Sequence, residues 1–140
     1  MTPVNENDLS KVIVDAAIEV HRTLGGPGLL ESVYEECLAL EFKSRGLDFQ
    51  RQLSLPIEYK GCTVNAAYRI DFLVKQSVIL EIKAVEKLEP IHEAQILTYL
   101  KLLKIDRGLL INFNVPLLKN GIKRMVLNYQ QTSAFSAPLR

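Results

Sequence analysis

Tyr68-Arg69-Ile70-Asp71-Phe72-Leu73-Val74-Lys75-Gln76-Ser77-Val78-Ile79-Leu80-Glu81-Ile82-Lys83 reads as two short strands joined by a turn at Lys75-Gln76-Ser77. Pairing Val74 with Val78 across that turn sets Asp71 opposite Glu81 and Arg69 opposite Lys83. One face then carries Tyr68, Ile70, Phe72 and Val74 beside Val78, Leu80 and Ile82. That face is apolar throughout, which makes it the expected core side. Two carboxylates and a lysine share the other face. Directly opposed side chains in an antiparallel pair have Cβ atoms about 4.5–5.5 Å apart, and like charges there are destabilising. A sequence that places two acids so close is expected to hold a cation between them. Two carboxylates and a backbone carbonyl suit a hard, oxygen-seeking ion such as Mg²⁺. The competing reading is a solvent-facing sheet surface with ordinary cross-strand ion pairs.

The chain has 140 residues, enough for one domain with a substantial core. Apolar residues make up 48% and charged residues 24%, as in ordinary soluble globular proteins. A formal net charge of +1 supplies no global attraction to nucleic acid, so any such binding needs a local patch or a partner. No basic-then-apolar leader opens the chain, and no run approaches the roughly 18 apolar residues of a membrane span, so a cytoplasmic, membrane-free protein is expected. Cys37 and Cys62 are isolated, lack metal spacing and fit free thiols in a reducing compartment.

Outward from the hairpin, a first helix is expected from a cap within Asn5 to Asp8, with Leu9, Val12, Ile13, Ala16, Ala17, Val20 and Leu24 on one stripe. Gly25-Gly26-Pro27-Gly28 breaks it as a tight helix–helix turn, since it lacks the Gly-Lys-Ser/Thr ending of a phosphate loop. A second helix runs from about Leu30 to Arg45, with Val33, Tyr34, Cys37, Leu38 and Phe42 at helical spacing, and Gly46 stops it. Leu53, Leu55, Ile57 and Tyr59 mark a strand that turns at Lys60-Gly61 into the hairpin. Pro90 opens a third helix to about Leu103. Gly108 to Phe113 is a buried strand, and a further one occupies Lys123 to Tyr129 after a turn at Lys119-Asn120-Gly121. The order α, α, β, β, β, α, β, β predicts an α/β domain over residues 1–130 with a mixed sheet, its first three strands a meander before a helical crossover. Residues 131–140 are expected to form a loose tail.

Glu31 falls in the first turn of the second helix, where the dipole favours a carboxylate and where simple charge compensation is the plainer role. On the third helix His92, Gln95 and Tyr99 form one stripe, while Ile96, Leu97, Leu100 and Leu103 supply the apolar side. A boundary between core and solvent accounts equally for Gln95 and Tyr99. His21, the other histidine, fits a capping or packing role near the Gly-rich turn.

Asp71, then Glu81-x-Lys83, then Gln95-x-x-x-Tyr99 on a helix, preceded by an acid on an early helix, resembles the PD-(D/E)XK nuclease superfamily, with Gln-x-x-x-Tyr similar to its RecB-like exonuclease branch. Gly28-x-x-Glu31-x-x-Tyr34 with Leu110-Ile111-Asn112-Phe113 resembles the small bacterial GxxExxY family. The resemblance spans roughly residues 8 to 128 and implies a restriction-endonuclease-like α-β-β-β-α-β core with an extra N-terminal helix. It implies that Asp71, Glu81, the main-chain carbonyl of Ile82 and Glu31 hold Mg²⁺ or Mn²⁺, and that Lys83 is the catalytic lysine. Gln95, Tyr99 and His92 would then face nucleic acid, DNA in preference to RNA, with hydrolysis of phosphodiester bonds as the activity. The alternative is a non-catalytic module that keeps the fold to bind nucleic acid or protein, and a homo-oligomer or protein partner would help such a small domain embrace a duplex. One departure is visible: Ile70 stands before Asp71, where the superfamily's name has proline.

Overall fold

A computed structural model describes residues 6–127. The elements are α1 (Glu6–Leu24), α2 (Glu31–Ser44), β1 (Phe49–Tyr59), β2 (Cys62–Val74), β3 (Val78–Lys83), α3 (Pro90–Leu103), β4 (Arg107–Asn112), a 3-10 turn (Leu118–Gly121) and β5 (Ile122–Val126). The expected order is the observed one. The cap expected within Asn5 to Asp8 falls partly outside the described residues, as do the last residues of the expected final strand and the whole expected tail.

The strands form one five-stranded sheet in the order β1-β2-β3-β4-β5. β3 and β4 run parallel, joined through α3, and the other neighbours are antiparallel. A parallel pair is covered on both faces, here by α3 on one side and α1 and α2 on the other, and β3 and β4 are accordingly buried nearly end to end. This mixed α/β architecture is restriction-endonuclease-like, with α1 as the added helix.

The core is two-sided. On one face α1 and α2 pack Ile13, Ala16, Ala17, Tyr34, Leu38 and Phe42 onto Phe72, Val78, Leu80, Ile82 and Phe113. On the other, α3 packs Ile96, Tyr99 and Leu100 onto Ile70, Leu73, Ile79 and Leu110. The apolar stripes expected on α1 and α2 are the ones buried.

This corrects the reading of the hairpin as apolar on one side only. Its turn and register are as expected, with Val74 opposite Val78 and Phe72 opposite Leu80, and Lys75 and Gln76 take positive φ of 51° and 56°. The ladder ends there. Tyr68 and Ile70 lie on the α3 side, whereas Phe72 and Val74 face α1 and α2. The cause is a kink shared by two strands. β1 pairs Arg51 with Phe72 and Leu53 with Ile70 but leaves the intervening Gln52 and Asp71 unpaired, and Gln52 has φ 49°. A left-handed residue inside a strand reverses the side-chain alternation, so Phe49 joins one core and Leu53 the other.

The Gly-rich turn also has a visible reason for its glycines: Gly25, Gly26 and Gly28 all take φ near 90–105°, where a Cβ would be strained. Tyr34 locks that turn from inside the core, its hydroxyl donating to Gly26 O at 2.7 Å and accepting from Leu29 N at 3.2 Å. His21 packs beside it, Nε2 at 2.8 Å from Val115 O and its ring tilted against Phe113, which is the packing role expected of it.

Candidate active site

Where the β2–β3 ladder stops, the two acids take over the pairing. Asp71 N donates to Glu81 Oε2 at 2.8 Å, and Ile82 N donates to Asp71 Oδ2 at 2.8 Å. Each carboxylate therefore satisfies a backbone N–H of the opposite strand that the splayed ladder would leave unpaired. Glu81 is almost fully buried and Asp71 half-buried.

Such an arrangement resists two negative charges. Burial pushes the Asp71 carboxyl up from its usual 3.8 to about 6, opposed by the bond from Ile82 N and raised further by the Glu35 charge. Burial likewise pushes Glu81 from 4.5 to about 8, with the Asp71 charge as the next cause, while Lys83 acts on both acids in the opposite sense. The two titrate as a unit, and the direction for both is upward.

Glu31 reaches the same end of β3. From the first turn of α2 its Oε1 accepts from Ala84 N at 3.3 Å, one residue past Lys83, and its charge also raises both acids. Glu31, Asp71, Glu81 and Lys83 thus come together from three elements. Tyr99, 2% exposed, is more deeply buried than a boundary residue, and its hydroxyl is pushed up to about 12, first by burial and then by the charges of Glu81 and Asp71. Gln95 lies one turn earlier, lining a cleft with Tyr99 and Tyr68. His92 is employed elsewhere: its Nδ1 accepts from Glu89 N at 2.9 Å, completing a reciprocal cap with the Glu89 side chain at the start of α3.

Several participants were missed in the sequence. Gln52 Nε2 bridges Glu35 Oε1 at 2.9 Å and Asp71 Oδ1 at 3.3 Å, and Arg51 Nη2 pairs with Glu35 at 2.7 Å. Glu35 sits four residues after Glu31, hence on the same helix face, and that spacing was a usable signal. Asn112 is 3% exposed and clamps the chain after β3: its Nδ2 donates to Val85 O at 2.9 Å and its Oδ1 accepts from Val85 N at 3.1 Å. A lone amide within the apolar Gly108–Phe113 run was its signal.

Against this geometry stand the comparisons. The model of the PD-(D/E)XK nuclease superfamily matches residues 7–125. The chain belongs to that superfamily. Among solved structures, the chain is similar to an alkaline exonuclease (LHK-Exo) from Laribacter hongkongensis, at 13% identity and TM-score 0.48, covering 98% of this chain and 77% of that one. The protein SSO0001 is similar at 12% identity and TM-score 0.46, covering 89% and 80%. No curated protein matches the chain.

Divalent metal ions are typical of PD-(D/E)XK nucleases, and the residues here can be tested against one. Among the described residues, no three His, Cys, Asp or Glu side chains already surround a common point. The donor chemistry nevertheless fits. Asp71 and Glu81 each use one oxygen on a backbone N–H, leaving Glu81 Oε1 and the weakly held Asp71 Oδ1 for another partner. Four carboxylates (Glu31, Glu35, Asp71 and Glu81) outnumber the cations Lys83 and Arg51, an excess of negative charge that a hard dication would offset. Among the described residues no helix is long and apolar enough to cross a membrane.

Proposed function

We propose that this PD-(D/E)XK protein is a metal-dependent nuclease that hydrolyses phosphodiester bonds, with Mg²⁺ or Mn²⁺ as cofactor and DNA favoured over RNA. The observation that carries this reading is the reciprocal Asp71–Glu81 pair, one acid buried and one half-buried, raised together beside Lys83. A bound divalent ion would supply Lewis acidity at the phosphate and a more acidic water. Asp71 and Glu81, with the Ile82 carbonyl and Glu31, would hold it, and the two backbone contacts to the acids keep their carboxylates from turning away. Lys83 stabilises negative charge on the phosphate or steadies the attacking hydroxide. Gln95 and Tyr99 contact the strand, and we assign His92 to the helix cap. The Gly28, Glu31, Tyr34 pattern with Leu110–Phe113 supports placing the chain in the GxxExxY family, and Gln95-x-x-x-Tyr99 supports the RecB-like branch.

The test is cleavage of DNA and RNA with and without Mn²⁺, using Lys83→Ala and Asp71→Ala. Metal-dependent cleavage lost in both variants is expected; activity that survives both refutes the assignment. One observation favours a second reading, a non-catalytic binding module. The acids already satisfy each other's strands and sit where one shared proton could replace a cation. Unchanged melting of the wild type in millimolar Mn²⁺ would support that module, because an ion that binds only the folded state must raise the melting temperature.

A further inference from the structure

Tyr68 was read as a core residue, yet it is 40% exposed and forms one wall of a cleft beside the acid pair. The kink at Asp71 turns it out towards α3, where its ring meets Tyr99 edge-on, centroids 6.2 Å apart and planes at 73°. Ile91 and Ala94 supply an apolar floor, and Gln95 and Thr98 complete the lining. The cleft holds about 180 Å³, below the several hundred Å³ usual for whole small-molecule ligands. It admits a single heterocycle and excludes a base pair.

Its polar groups are unclaimed. Thr98 donates to Ala94 O within its own helix, at 3.0 Å. The Gln95 amide and the Tyr68 and Tyr99 hydroxyls make no hydrogen bond among the described residues. Gln95 is half-buried and Tyr99 nearly wholly so, yet among the described residues no buried side-chain nitrogen or oxygen lacks a partner, so these polar atoms open onto the cleft and are free to meet a ligand in place of water. A ligand that suits this cleft has a flat aromatic body for the Tyr68 ring and an edge of donors and acceptors for the amide and hydroxyls. Tyr68 lies only three residues before Asp71, so that ligand is tethered close to the chemistry.

We propose that the Tyr68–Gln95–Tyr99 cleft receives one unpaired nucleobase of the substrate strand, which makes the protein selective for single-stranded or frayed nucleic acid. The inference rests on the nuclease-like reading above. Tyr68 supplies the stacking face, and Gln95, whose amide both donates and accepts, reads the base edge. Stacking on an aromatic side chain tolerates any base, so the cleft discriminates unpaired from paired strands more than one sequence from another.

The test is fluorescence anisotropy in Ca²⁺, with the probe checked intact after each run. The probes are a short labelled oligodeoxythymidine, an abasic chain of equal length and charge, and a blunt duplex. The wild type is expected to bind the oligodeoxythymidine about ten- to a hundredfold more tightly than the abasic chain. Tyr68→Ala should remove most of that difference and Tyr68→Phe should keep it. Tyr68 is exposed, so neither change threatens the fold, which a thermal melt verifies. Equal affinity of the wild type for the two single-stranded chains overturns the base site and leaves the nucleic-acid reading standing. Discrimination that survives Tyr68→Ala overturns it as well. Binding to none of the three probes overturns both.

Discussion

Glu81→Gln should make the metal-free protein more stable at pH 8 and much less so at pH 5. The amide keeps the shape of the side chain, and its carbonyl still accepts the bond that Asp71 N now gives to Glu81. Only the charge is lost. Asp71 and Glu81 have folded-state pKa values of about 6 and about 8, above their ordinary 3.8 and 4.5. Between about pH 4 and pH 8 the folded protein therefore holds more protons than the unfolded chain, and stability falls as pH rises. A rise from 4.5 to about 8 sets a ceiling of ~5 kcal/mol for Glu81. The shared titration with Asp71 and water on the Asp71 side lower this, and we expect a gain of about 2–3 kcal/mol at pH 8. For a domain of this size that is roughly 8–10 °C in melting temperature. The assay is thermal unfolding in EDTA at both pH values, followed by circular dichroism. At pH 5 both acids are largely protonated in the folded state while the unfolded Glu81 has begun to ionise, so the variant should gain no more than about 1 kcal/mol there. An equal gain at the two pH values, or a loss at pH 8, refutes the claim that crowded, buried charge is what Glu81 contributes to the apo protein.

Three further outcomes follow from the same geometry. Mn²⁺ should raise the melting temperature of the wild type more at pH 8 than at pH 5, because the acids must shed protons to accept it, and a pH-independent shift would place the ion elsewhere. Asn112→Ala should cost about 2–4 kcal/mol in urea unfolding, since Val85 N–H loses its partner and Val85 O keeps only the longer 3.4 Å bond from Asn114 Nδ2, and a cost below ~1 kcal/mol would deny the clamp its role. Gly121→Ala should destabilise by more than ~3 kcal/mol, because the new Cβ would lie 2.1 Å from Asn112 O, and a neutral result would mean that the 3-10 turn shifts freely.

The element order, the hairpin register and the buried faces of α1 and α2 were legible because they depend on local periodicity and on turn residues, which a sequence carries openly. The acids were legible too, because opposed like charges in a hairpin demand an explanation. What could not be read was the kink. Gln52 adopts φ 49° although nothing in its type or neighbours asks for it, and its amide is fixed by Glu35 and Asp71, 17 and 19 residues away. The reversal of side-chain alternation follows from that tertiary contact, so strict alternation put Tyr68 and Ile70 on the wrong side. His92 also has a local use. A histidine on the same stripe as Gln95 and Tyr99 suggests shared function, but at the third position of a helix its ring is close enough to cap the backbone, and that local bond took it.

The two family-like segments acquire a physical connection in the folded chain. Tyr34 stacks on Phe113, ring centroids 4.7 Å apart, and Asn114 Oδ1 accepts from Gly28 N at 3.2 Å. Phe113 N in turn donates to Lys83 O at 2.8 Å, beside the Ala84 N–H that Glu31 accepts. The glycine turn, the Glu31 helix and the end of β4 therefore brace a single point, the backbone immediately after Lys83. Glu31 and Tyr34, three residues apart in the first turn of α2, place an acid and an aromatic anchor, and Gly28 in the turn just before the helix supplies the clamp. Asn112 and Phe113, adjacent on a strand, point to opposite faces, so one holds the chain beyond β3 while the other joins the α1–α2 core. Packing on one side of the sheet thus fixes where Lys83 and Glu31 meet the acids.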